Sequence, residues 1–183
     1  MRAWIELAED VEGEFVDGVL VEDEVTDYVH DAVVIFLAAV LRAWVRPRGG
    51  LVGGSDVKFQ VSARRGRKAD VSVYLPGDPR PPGRGVVAVP PSIAIEVVSP
   101  RPRDARRDRL EKLEEYAEFG VRYYWVVDPQ LRTLEIYELG GDGRYVRALS
   151  AAEGSIGNVP GCDSLEIDLD ALWLEVDELE APR

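Results

Sequence analysis

Hydrophobic and polar positions fall into blocks along the chain, and the period within each block names an element. In Glu14-Phe15-Val16-Asp17-Gly18-Val19-Leu20-Val21 an Asp-Gly pair sits between apolar residues, the pattern of a tight hairpin turn. Thr26 to Arg46 reads as a long helix, with Thr26 or Asp27 as its cap and Pro47 as its stop. Apolar residues surround most of its circumference between Val33 and Leu41, which predicts a largely buried helix. After the Gly49-Gly50 and Gly53-Gly54 breaks, Val57, Phe59 and Val61 alternate as a strand. An arginine-rich turn, Ala63 to Lys68, leads into a second strand, Ala69 to Leu75.

Pro76 to Pro91 holds six of the twelve prolines and three glycines, so it reads as a loop, long enough to lie over a site and move. Ser92 to Val98 is strongly apolar and reads as a central strand. A helix from Asp104 to Phe119 ends at Gly120, and Arg122 to Val127 is another central strand stopped by Asp128-Pro129. Leu134 to Glu138 and Tyr145 to Leu149 form a hairpin across Gly140-Gly141-Asp142-Gly143. A short strand near Leu165 to Ile167, a brief helix over Leu169 to Val176 and an acidic tail over 177–183 close the chain. This order predicts an α/β fold of the α+β type, a mixed sheet with helices packed on it and an added β-hairpin. It predicts one domain over residues 1–183, with its core at about 12–176.

Composition narrows the class. With 183 residues, 46% hydrophobic and 31% charged, the chain has the balance of a globular domain. The longest uncharged apolar stretch, Ala32 to Leu41, is about half of what a bilayer span needs, and no apolar segment precedes the first acid, Glu6. A single cysteine, Cys162, allows neither an internal disulfide nor a thiolate metal site. A cytoplasmic protein with no membrane partner is expected.

Net charge is −12, which by itself argues against nucleic acid. Its distribution reverses that argument. Lys58 to Lys112 carries 13 Lys/Arg against 6 Asp/Glu, a balance of +7 that leaves −19 for the rest of the chain. These arginines either hold phosphates or solvate a surface face.

Two carboxylates are misplaced by hydrophobicity. Glu96 interrupts the apolar strand on the face of Ala94 and Val98, where an unpaired charge is costly. Asp70 shares a face with Ser72 and Tyr74. If the two strands are neighbours, both carboxylates can converge on one hard cation such as Mg²⁺, although an ion pair with a nearby arginine explains them equally well. Asp108, Lys112 and Tyr116 follow at i, i+4 and i+8, with Leu110, Leu113 and Ala117 expected on the face that packs on the sheet. Lys112 borders that face and can reach the strand ends. Alternatively it is one half of an exposed pair with Asp108, worth about 0.3–0.5 kcal/mol.

Glu14-x-x-Asp17-Gly18, His30 near a helix start, a strand aspartate and Ile95-Glu96-Val97-Val98-Ser99-Pro100 form one ordered signature. It continues with Asp108-Arg109-x-x-Lys112-x-x-x-Tyr116 and Gly120-Val121-x-x-Tyr124-Trp125-Val126-Val127-Asp128-Pro129. This order resembles the Uma family of restriction endonucleases, a branch of the PD-(D/E)xK nuclease superfamily, over roughly Glu12 to Trp173.

The resemblance implies a restriction-endonuclease-like core and an endonuclease that hydrolyses phosphodiester bonds, DNA first. It makes Asp70 and Glu96 ligands of Mg²⁺ or Mn²⁺, with the Val97 backbone carbonyl facing the same point, and Lys112 the catalytic base or charge stabiliser. Ala69 stands where the motif's proline is expected, and Val98 where its lysine is expected, so Lys112 takes that role from the next helix. Phosphate contacts are expected from Arg64, Arg65, Arg67, Arg106 and Arg107. Glu14, His30, Asp108 and Tyr116 are candidates for a second tier around the site; the competing readings are a solvated hairpin acid for Glu14, which the pattern favours, and a structural hydrogen bond for His30. Tyr124 and Trp125 are expected in the core, and Cys162 is expected to be inert. The rival reading is a nuclease fold that no longer cuts and binds nucleic acid or protein, or serves as a homodimeric scaffold.

Overall fold

Asp27 sets the first long helix. Its carboxylate accepts the His30 N–H at 2.9 Å, and α1 (Tyr28–Val45) follows. The computed structural model describes residues 13–21, 27–100 and 106–181, so Thr26, Arg101 and Asp104 lie outside the described residues. Val33, Leu37, Leu41 and Val45, at successive i+4 positions, are fully buried, whereas Ile35 on the far side is 67% exposed. The expectation of a largely buried helix is therefore corrected to one buried stripe, because a helix lying on one sheet face has one side to bury. Tyr28–Arg48 is also long and apolar enough to cross a membrane, by length and composition alone. Pro47 ends the α-helical run and sits in the single 3₁₀ turn that follows, Arg46–Arg48.

The strands are β1 (Glu14–Val16), β2 (Val19–Val21), β3 (Leu51–Gly53), β4 (Lys58–Gln60), β5 (Arg65–Lys68), β6 (Val71–Tyr74), β7 (Ile93–Val97), β8 (Tyr123–Asp128), β9 (Thr133–Leu139), β10 (Tyr145–Ala151), β11 (Ser155–Ile156) and β12 (Ile167–Asp168). A six-stranded sheet runs β10-β9-β8-β7-β6-β3, and a four-stranded one runs β2-β1-β5-β4. Only β7 and β8 pair in parallel within the larger sheet. A parallel pair needs a crossover, supplied here by a π-helical turn (Arg107–Glu111) running into α2 (Lys112–Phe119). Asp168 caps α3 (Leu169–Glu180). Residues 177–180 of the expected acidic tail are thus helical.

Alternation in β7 and β8 divides the core. Ile93, Ile95, Val97, Tyr123, Trp125 and Val127 face α1 and α3, and Ala94, Val98, Tyr124 and Val126 face Tyr116, Phe59 and Val61. Three further expectations change. The arginine-rich turn is strand β5, paired on both edges with β1 and β4. Leu51–Gly53, which lies between the two expected glycine breaks and runs into the second, is an edge strand, and a Cβ on Gly53 would meet Ser72 Oγ at 2.7 Å. The proline-rich loop is tied to β4 by Val87 N–H to Lys58 O (2.8 Å) and Gln60 N–H to Val87 O (2.9 Å), and to β6 by Tyr74 O–H to Val89 O.

Candidate active site

The antiparallel register of β6 and β7 pairs Val71 with Ile95. Continued by one residue, it sets Asp70 across from Glu96. Asp70 Oδ2 accepts the Val97 N–H at 2.7 Å and lies 3.3 Å from His30 Nε2. Glu96 is buried, and both its oxygens are engaged: Lys112 Nζ donates to Oε2 at 2.7 Å and Tyr116 O–H to Oε1 at 2.9 Å. Asp108 Oδ1 is 3.2 Å from the same ammonium but not aligned for a hydrogen bond, while Tyr124 O–H donates to the Asp108 carbonyl at 2.8 Å. Asp70, Glu96, Lys112, His30, Asp108 and Tyr116 therefore gather at one end of β6 and β7.

The helical segment buries its polar side. Asp108, Lys112, Glu115 and Tyr116 are buried, and Leu110, expected against the sheet, is 58% exposed. This also overturns the reading of Asp108–Lys112 as an exposed pair. Charges can face inward here because opposite charges from β1, β5 and β7 meet them. Glu14, read as a solvated hairpin acid, is among these: it is buried, with Oε1 accepting the Lys68 N–H at 3.1 Å and lying 3.6 Å from Lys112 Nζ.

Arg67 requires a further correction. Expected to contact phosphate, it is fully buried, donating to Glu115 at 2.6 and 2.8 Å and to Glu14 at 2.7 Å. Arg65 is engaged by Glu115 at 2.7 Å and Asp17 at 2.9 Å. Arg64, with a side chain 73% exposed, and Arg106, also exposed, face solvent, while Arg107 is half-buried with Nε 3.9 Å from Asp108. Sequence reasoning missed Glu115; the available signal was its i+3 spacing from Lys112.

Burial and crowding shape the ionisation. Burial pushes the Glu96 carboxyl well up; Lys112 opposes this, and Asp70, Asp108 and Glu14 add to it. Asp108 is raised by burial, against Lys112 and Arg107. Burial would raise Glu14 too, but Lys112, Arg67 and Arg107 bring it down to about 2. Burial would strip the proton from Lys112, yet Asp108, Glu14 and Glu96 outweigh it and hold the ammonium well above its usual range. For His30, burial is outweighed by Asp70, with Asp31 and Asp27 adding, and its pKa rises. Tyr124 and Trp125 are core residues, and burial pushes the Cys162 thiol up to about 12.

Among the described residues, the connected network of Arg64, Asp17, Arg65, Glu115, Arg67, Glu14, Lys112, Glu96, Asp108 and Arg107 holds five carboxylates and five cations, and Asp70 beside it adds a sixth carboxylate. With His30 neutral, these residues are one positive charge short. No group of three His, Cys, Asp or Glu converges on one point among the described residues. Two carboxylates in a region of excess negative charge still suit a hard divalent ion, which takes few protein ligands and fills its shell with water and phosphate oxygens.

A family model described as "Uma2: Putative restriction endonuclease" matches residues 2–170. A solved structure from Anabaena variabilis, described as a putative nuclease belonging to DUF820, aligns with a TM-score of 0.69 at 18% identity, covering 89% of this chain and 90% of that one. At that identity the likeness speaks for the fold alone, a mixed sheet with, among the described residues, three helices. No curated protein matches.

Proposed function

The chain belongs to the Uma2 family, whose members are described as putative restriction endonucleases, and from that premise we propose that it is a metal-dependent endonuclease acting on DNA. The observation that carries the reading is Lys112 Nζ set 2.7 Å from Glu96, opposite Asp70, in a site short of positive charge. Asp70, Glu96 and the Val97 carbonyl are the groups that would hold Mg²⁺ or Mn²⁺. When bound, such an ion polarises the phosphoryl oxygen and lowers the pKa of a water molecule. Lys112, hemmed by three carboxylates, acts as a fixed ammonium that offsets charge on the pentavalent transition state, a role that suits it better than proton abstraction. Tyr116 keeps Glu96 turned toward Lys112, and His30 orients Asp70.

One observation favours a second reading. Both Glu96 oxygens are already satisfied by protein donors, as in a silent nuclease fold kept for binding. Incubating supercoiled, linear and single-stranded DNA, and RNA, with Mg²⁺ or Mn²⁺ separates the two. Nicking of DNA by the native protein, a rise in Tm with Mn²⁺, and loss of both in Asp70→Ala are expected. No cleavage of any substrate with either ion leaves the silent fold.

Of the five arginines expected to hold phosphate, Arg64 and Arg106 are the exposed ones, and they are the backbone contacts we propose. DNA affinity should fall steeply with salt and vary little with sequence, and the Arg64→Glu, Arg106→Glu double variant should lower it by about tenfold or more. Salt-insensitive binding, or equal affinity in the double variant, removes this surface.

A further inference from the structure

Resting on the endonuclease reading above, we propose that Arg67 and Glu14 are positioning residues that hold the Lys112 ammonium against Glu96. Neither needs to touch substrate. Arg67 is the root of the arrangement: its guanidinium is fully buried in β5 and donates in two directions. Toward the helix it grips both oxygens of Glu115, at 2.6 and 2.8 Å, which fixes α2 one turn beyond Lys112. Toward the hairpin it takes Glu14 Oε2 at 2.7 Å, and the Lys68 N–H takes Oε1. Glu14 is thereby locked from two sides, with Oε1 3.6 Å from Lys112 Nζ.

Lys112 is consequently bounded by Glu14 from the small sheet, Asp108 from the preceding turn and Glu96 from the central sheet. A lysine side chain has several rotatable bonds and no fixed fork, so its ammonium needs walls to be held at one point. Asp108 lies on the same helical segment and moves with Lys112. Glu14 is the wall that comes from outside both the helix and β7, and Arg67 is what keeps it there. A lysine that has left the strand for a helix can in this way act as though it were still fixed beside the glutamate.

The sequence contains three lysines, Lys58, Lys68 and Lys112, so side-chain ammonium resonances are few and assignable by nitrogen-15 NMR. In the native protein, without metal, a slowly exchanging ammonium resonance should be present and should vanish in Lys112→Met. Glu14→Gln keeps the shape of the residue and one of its two accepted hydrogen bonds while removing its charge. It should shift or broaden that resonance, as should Arg67→Lys, whereas the remote exposed Glu153→Gln should leave it unchanged. In cleavage, Glu14→Gln should lower kcat by about tenfold with KM within about threefold, the mark of an interaction made in the transition state. If Arg67→Lys does not fold, Glu14→Gln still carries the test. A Lys112 resonance absent from the native protein, unmoved by Glu14→Gln, or cleavage unchanged in that variant overturns the proposal. A resonance that responds as expected in a native protein that cuts nothing keeps the positioning and removes the endonuclease reading.

Discussion

Lys112→Met is expected to lower cleavage by about a hundredfold or more and to destabilise the fold by about 3–5 kcal/mol. The first effect follows from loss of the ammonium beside Glu96. The second follows from what remains: Glu14, Glu96 and Asp108 are buried, and Lys112 is a charge shared among them. The loss of stability should depend on pH. Burial raises Glu96 and Asp108, and Lys112 is the charge that most opposes the rise. Without it, the folded state holds protons on these groups that the unfolded chain releases above about pH 4. Stability of the variant is then lost as pH rises through the raised folded-state values, and its deficit against the native protein shrinks in acid. Thermal melts from acid to neutral pH, together with initial cleavage rates, check both effects. Cleavage within a fewfold of native in folded protein removes Lys112 from the mechanism, and a Tm unchanged at neutral pH removes the buried-cation account.

Glu96→Gln should part activity from stability. Loss of the carboxylate proposed to hold the metal should reduce cleavage by about a hundredfold or more, but the fold should hold or gain stability at neutral pH. Glu96 has its folded-state pKa pushed up, first by burial and further by Asp70, Asp108 and Glu14. A group raised in this way favours the folded state fully below its unfolded pKa, and that contribution fades as pH climbs through the folded value. Glutamine carries no such dependence; its single oxygen can accept from Lys112 while its amide N–H donates to the Tyr116 oxygen. Lys112 meanwhile keeps Asp108 and Glu14 as counter-charges. Plotted against pH, the variant's Tm should therefore overtake that of the native protein between acid and neutral conditions. A variant several kcal/mol less stable at neutral pH instead makes Glu96 a structural ion-pair partner, which favours the silent reading.

Much of this site was legible in the sequence because its signals are local. The Asp17-Gly18 pair announces its hairpin, and both residues adopt the positive φ that such a turn needs. Glu96 stands out within a strand of apolar residues, and the two-residue period alone divides Ala94, Glu96 and Val98 from Ile93, Ile95 and Val97. The Asp108, Lys112, Tyr116 spacing puts three polar groups on one helical side, yet the apolar pattern places that side only at the border of the packing face. Hydrophobicity assigns Leu110 to the interior and Lys112 to its border; the structure exposes the leucine and buries the lysine.

The sequence by itself determined most of the strands and helices in their order, the alternation that gives each sheet two faces, and the out-of-place charge of Glu96 in an apolar strand. Tertiary structure decided which charges are buried and what they do there. Arg67 reads as one cation in a basic run until Glu14, 53 residues before it, and Glu115, 48 residues after it, close on its guanidinium. A charge can leave water only when counter-charges and hydrogen-bond partners arrive together, and here they come from a hairpin and a helix far apart in the chain. Local pattern carries no record of that meeting. The same assembly turned a supposed arginine turn into strand β5 and made a hairpin acid one wall around the lysine.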